Sequence, residues 1–160
     1  MRDKLLSLVL ISLIASCATT ASFDTTKVDK SLTPQSVVAE PVRSLGKIAL
    51  WGGTILDTRN LKEKTQIEIL AYPLNSSYWP MQKSKPLGRF IIQYQGYLEP
   101  TTYAQGRVLT VLGSVGGSRS GKVGESEYTY PVIIAEQLHL WPKDSGRRNT
   151  SLHLGVGINL

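Results

Sequence analysis

Between Gly46 and Trp141 the chain consists of short runs of β-branched and aromatic residues, separated by clusters of Gly, Pro and Ser. Five of these runs have strand length. In 65–72, Gln66 and Glu68 alternate with Ile67, Ile69 and Ala71, the period-two pattern of a strand with one buried face. The run 47–56 carries Gly52 and Gly53 at its centre, which predicts a bulge or sharp bend. The run 89–95 alternates less cleanly, and 107–115 is apolar on both faces, as a central strand would be. The last run, 128–140, contains Pro131, which cannot donate to a ladder and marks an edge, a bulge or the strand's start.

The connections follow from the same pattern. Gly116 to Gly121 predicts a flexible turn joining the last two strands, and Tyr97 to Gly106 is long enough for a short helix that Gly106 would stop. Three strands, a short helical link and two strands is the order of an OB-type barrel, which solves the edge-strand problem in a small domain. A small open β-sandwich is the competing architecture. The fold expected is therefore all-β, a five-stranded OB-like barrel spanning 43–142, with a C-terminal tail, 143–160, whose alternating Leu152, Leu154, Val156 and Ile158 allow an extra strand.

The N-terminus has a different character. Arg2 and Lys4 precede an apolar run from Leu5 to Ile14, too short for a transmembrane helix and of the length of a secretory signal peptide. It ends in Leu13-Ile14-Ala15-Ser16-Cys17, the form of a bacterial lipobox. The small residues admit a peptidase, and the thiol is nucleophilic enough to take a diacylglyceryl group. Residues 1–16 are thus expected to be removed and Cys17 to be lipidated, with several acyl chains forming a durable anchor. Ala18 stands where lipoproteins kept at the inner membrane commonly have Asp, which points to the outer membrane. From 17 to 42 the chain is rich in Thr and Ser and predicts a flexible tether, or a stretch that Val37, Val38 and Val42 partly pack along the domain.

Composition narrows the chemistry. Cys17 is the only cysteine, and His139 and His153 are the only histidines, so neither a disulfide framework nor a multi-cysteine zinc site is expected, and no metal or cofactor. No base can be named for a nucleophile: His139 lies in an apolar strand, where an outward-facing surface histidine is the expectation, and the acids are scattered. Gly113 to Arg119 lacks the Lys-Ser/Thr ending of a phosphate loop. What remains is aromatic and basic. Tyr78 and Trp79 sit in a loop that presents a dense apolar tip, and with Tyr103, Arg89 and Arg107 they are the candidate binding residues. Such a set suits sugars or anionic headgroups, and would suit single-stranded nucleic acid were the chain not exported. The formal net charge of +6 is moderate and compatible with anionic lipid.

Six stretches together carry a resemblance: the lipobox, Trp51-Gly52-Gly53-Thr54-Ile55, Ile67 to Leu74, Gly96 to Pro100, Leu109 to Val115, and Tyr130-Pro131-Val132-Ile133. They resemble the Slp family of outer-membrane lipoproteins, some of them starvation-inducible, over the signal peptide and nearly the whole β domain but not the tail after Trp141. The resemblance implies a lipid-anchored outer-membrane protein of Gram-negative bacteria and carries over Cys17 as the lipidation site. The function expected is non-enzymatic, an envelope-stabilising or partner-binding role in contact with outer-membrane lipid through acylated Cys17. The alternative is a periplasmic small-ligand or glycan-binding module that uses the aromatic and basic residues of the barrel face.

Overall fold

The computed structural model describes residues 21–143; the signal segment, Cys17 and the tail beyond Lys143 lie outside them. Five strands, β1 (Ile48–Asn60), β2 (Lys64–Tyr72), β3 (Arg89–Gln95), β4 (Val108–Val123) and β5 (Ser126–Leu140), close into a barrel in the order β1-β2-β3-β5-β4. All neighbours run antiparallel except β3 and β5, which pair in parallel over Ile91–Gln93 and Val132–Ile134. This is the closed OB-type arrangement rather than the open sandwich.

Alternation places the core. Inward side chains of successive strands, Ile55, Ile67, Ile69, Phe90, Ile92, Leu109, Val111 and Ile133, are all fully buried and fill the barrel. Gly53 is required there, because a Cβ would stand 1.9 Å from the Leu70 carbonyl oxygen of β2. The bulge lies between Ile55 and Asp57, just past the glycine pair. Pro131 also sits at a bulge, opposite the shift between Val115 and Ser118 on β4.

Two connections differ from expectation. Residues 116–121 are strand, not turn: β4 runs on to Val123 and the reversal falls at Gly124 and Glu125. The glycines there serve close packing, since a Cβ at Gly116 would meet Ile134 and one at Gly121 would meet the Tyr130 ring, both within 3 Å. The link 97–106 forms two turns and no helix: the Thr102 and Tyr103 amides both donate to the Glu99 carbonyl, and the Arg107 amide donates to the Ala104 carbonyl. Glu99 accepts the Thr101 amide with its side chain and so ends the turn where it began. The Thr/Ser-rich stretch, over its described residues from Ala21 on, follows the second of its two expectations and packs along the domain. It holds two short helices, α1 (Pro34–Ala39), opened by a capping box between Thr33 and Ser36, and α2 (Pro41–Ser44).

Leu32 and Val37 of this stretch enter the interior cluster at one end of the barrel, while Leu98 and Tyr103 of the 97–106 link enter it at the other. Both ends are therefore plugged. A second cluster forms outside the barrel, where Ala21, Phe23 and Trp141 pack over Leu112, Val108 and Leu50. Residues 21–32 thus act as a strap, crossing the outer face of β1 and β4 before turning into the barrel end.

Candidate functional site

The strap is fixed at successive points. The Asp29 amide donates to the Ile48 carbonyl at 2.9 Å, and Val28 bridges Ile48 in parallel. The Lys47 ammonium reaches the Asp29 carboxylate at 3.0 Å. The Ser31 hydroxyl, and then Lys47, hold the Asp29 carboxyl at about 2. Trp51 Nε1 donates to the Leu32 carbonyl at 3.0 Å, a buried bond that ties the strap to the barrel interior.

Facing the strap is the 73–87 loop. Its turn is closed by Asn75, whose Oδ1 accepts the amides of Ser77 and Trp79 at 2.9 and 3.0 Å. Tyr78 takes a left-handed φ of 63°, the one non-glycine residue among those described to do so. Its carbonyl accepts the hydroxyl of buried Thr110, which in turn accepts Nε1 of Trp141 at 3.0 Å. Gly52 lets the loop lie directly on β1, since a Cβ would stand 2.8 Å from Pro80 and from the Leu109 carbonyl.

Between strap and loop opens a cleft of about 540 Å³. Val28, Leu32, Pro34, Leu50, Trp51 and Leu74 make an apolar floor, and Asp29, Lys30, Asn75 and Ser76 contribute a polar rim, with Tyr72 and Tyr78 at the sides. Apolar enclosure with a few polar groups at the mouth is the form of a small-molecule site. Among the described residues no group of three or more His, Cys, Asp or Glu side chains could hold a metal.

The candidate residues read from sequence separate. Tyr78 lines the cleft, yet the apolar tip expected there is folded down: Tyr78 meets Phe23 edge-on at 5.5 Å and Trp79 meets Trp141 at 4.9 Å. Trp79 and Arg107 share a second, smaller cavity of about 150 Å³. Arg107 donates to the Thr102 and Trp141 carbonyls at 2.9 Å each, and its Nε is buried without a partner. Arg89 lies on another face, paired with Glu68 at 2.8 Å, and Tyr103 is half-buried at the far barrel end, its hydroxyl pKa pushed up by burial. Cys17 lies outside the described residues.

His139 points outward from the barrel as expected but is half-buried there: Phe23 of the strap lies 6.4 Å and Trp141 4.2 Å from its ring, and burial lowers its pKa. The strap residues Asp29 and Leu32 carry no periodic signal that singles them out in the sequence, and Trp51 of β1 enters there only as part of the Trp51-Gly52-Gly53-Thr54-Ile55 stretch. The signals available were the Asp29-x-Ser31 turn and the Thr33-Pro34-x-Ser36 cap that follow each other there.

Comparison with known proteins decides the family. The profile of the outer membrane lipoprotein Slp family matches residues 14–155. The chain belongs to the Slp family. Membership locates it at the outer membrane, and the match extends past Trp141 into the tail, further than the resemblance in the sequence suggested. Among Slp-like relatives, an uncharacterized protein of Haemophilus influenzae is 37% identical over 91 residues, 56% of this chain and 49% of that one. The uncharacterized lipoprotein YeaY of Escherichia coli is 30% identical over 115 residues, 69% of this chain and 59% of its own. The outer membrane protein Slp of Escherichia coli is 26% identical over 102 residues, 64% and 54% of the two chains. The chain thus spans about half to three fifths of the length of these curated relatives.

Proposed function

We propose that this Slp-family chain is a lipid-anchored, non-enzymatic binding protein of the outer membrane, and that the cleft between the strap and the 73–87 loop holds a small amphipathic ligand. The anchor is Cys17, which ends the lipobox Leu13-Ile14-Ala15-Ser16-Cys17, and the family match begins inside that motif. One observation carries the binding role: the strap and the 73–87 loop leave between them a largely apolar cleft of about 540 Å³ whose lining also offers the hydroxyl, amide and charged groups of Ser76, Asn75, Asp29 and Lys30. A ligand suited to it has an apolar body, such as the face of a sugar ring or a short alkyl group, and a few hydroxyls to meet Asp29, Asn75 and Ser76. Catalysis needs an activated nucleophile or an acid–base pair, and the cleft's chemistry is that of holding.

The test uses the mature chain with Cys17→Ser, titrated with the apolar fluorophore N-phenylnaphthylamine and then with a panel of sugars as competitors. Leu74→Arg places a long charged side chain across the floor. Saturable binding lost in Leu74→Arg, at unchanged thermal stability, supports the cleft. Equal signal in both chains removes it and leaves the envelope-stabilising role, while turnover of any added substrate by the Cys17→Ser chain would refute the non-enzymatic reading.

A further inference from the structure

The strap shortens the leash between anchor and barrel. Ala21 and Phe23 are 5% and 8% exposed, packed against Trp141 and Leu112 on the barrel wall. Cys17 is four residues before Ala21, and that length of chain spans no more than about 14 Å even when fully extended. A flexible tether of two dozen residues would let the domain rotate freely above the bilayer. An attachment this short holds the Phe23–Trp141 wall of the barrel at the headgroup layer.

What that wall carries is the second cavity. Trp79 packs edge-on against Trp141, and with Trp79 the residues Gln82, Arg107 and Lys143 line the pocket of about 150 Å³. Two cations and an amide contribute to it, and no carboxylate does among the described residues. Arg107 commits two of its five N–H donors to the Thr102 and Trp141 carbonyls, and its guanidinium can take further acceptors. A tetrahedral oxyanion supplies such acceptors and meets a guanidinium and an ammonium together. Trp79, at the rim, has the amphipathic ring that favours the membrane–water interface.

We infer that the pocket between Trp79, Arg107 and Lys143 is a phosphate subsite for the headgroup of an anionic lipid in the leaflet that holds the anchor. The inference rests on acylation of Cys17, which places the pocket at the bilayer surface, but the phosphate chemistry can be measured without the acyl chains. Exposed Asp24, and Glu136 beside the Gln137 that bonds Ser22, lie close to the strap, so general electrostatic attraction to this wall is weak and the pocket has to supply the selectivity.

The experiment is co-sedimentation of the mature Cys17→Ser chain with vesicles of phosphatidylcholine alone or mixed with phosphatidylglycerol. Binding should favour the anionic vesicles, Lys143→Gln should weaken it about fivefold, and Lys122→Gln, on the β4–β5 hairpin, should leave it unchanged. Arg107→Gln also breaks two structural bonds, so Lys143→Gln carries the result and Arg107→Gln counts only if its melting temperature is retained. Equal loss in Lys122→Gln and Lys143→Gln, or none in either, would overturn the subsite. Saturable binding of inorganic phosphate that depends on Lys143, without any preference for anionic vesicles, would assign the pocket to a free anion and overturn the headgroup. Intact mass of the native protein tests acylation separately, so failure of the anchor and failure of the subsite are distinguishable.

Discussion

Replacing Trp51 by Phe tests whether the strap is held as described. Trp51 is 7% exposed, packs edge-on against Phe90 at 5.2 Å and donates to the Leu32 carbonyl at 3.0 Å. Phenylalanine keeps an aromatic body but removes the donor and leaves that carbonyl unpaired. Losing one partner of a buried hydrogen bond costs about 1–3 kcal/mol, and the smaller ring leaves a void worth about 1 kcal/mol. For a chain of this size each kcal/mol lowers the melting temperature by roughly 2–4 °C, so the variant should melt roughly 5–15 °C lower. Hydrogen exchange should show where the loss falls. The Asp29 amide, bonded to Ile48, should exchange markedly faster relative to the Ile67 amide of the β2 core than it does in the parent. A melting temperature within a degree of the parent, with Asp29 protection unchanged, would refute the claim that this bond fastens the strap.

Three further outcomes follow from single contacts. Gly53→Ala drives a methyl group to 1.9 Å from the Leu70 carbonyl oxygen, so the chain should fail to give the native circular-dichroism spectrum; a folded variant would mean that the β1–β2 ladder can part there. His139 is half-buried beside Phe23 and Trp141, with its pKa below the ordinary value, so the unfolded chain binds the proton more readily. Stability should therefore be full above the ordinary histidine range and fall as pH drops through it, and His139→Gln should flatten that slope; an unaltered pH–melting profile would contradict the burial. Arg89→Gln breaks a half-exposed pair with Glu68 and should cost about 1 kcal/mol in urea melts while leaving ligand binding at the cleft intact.

How far the sequence disclosed this architecture depends on which force dominated each segment. Residues 65–72 were legible because a closed barrel has one wet and one dry face, and Gln66 and Glu68 could only alternate with Ile67 and Ile69 on those terms. The strand segment 116–121 was illegible because its glycines answer to neighbours distant in sequence, Ile134 and Tyr130, and not to a local turn. The strap was obscured by its composition: Ala21, Phe23, Leu32 and Val37 pack at irregular spacing among Thr and Ser, so no period betrays them. Of the binding candidates, Trp79 and Arg107 do meet in one pocket. Arg89 was misleading, as its partner Glu68 sits across a strand pair whose register the composition does not reveal.

The account ties these parts to one position. The strap lines the cleft and packs Phe23 against Tyr78 and His139, and with the proposed anchor at Cys17 the same contacts would bring the Trp79–Arg107 pocket to the bilayer surface. All of this acquires a biological setting only if Cys17 is the point of attachment. Intact mass and membrane fractionation of the native protein beside a Cys17→Ala variant measure that directly. The account predicts a mature chain beginning at Cys17 with diacylglyceryl and acyl mass added, sedimenting with outer membranes, and a variant that has lost both properties. An unmodified chain that leaves the outer-membrane fraction in both cases would contradict it.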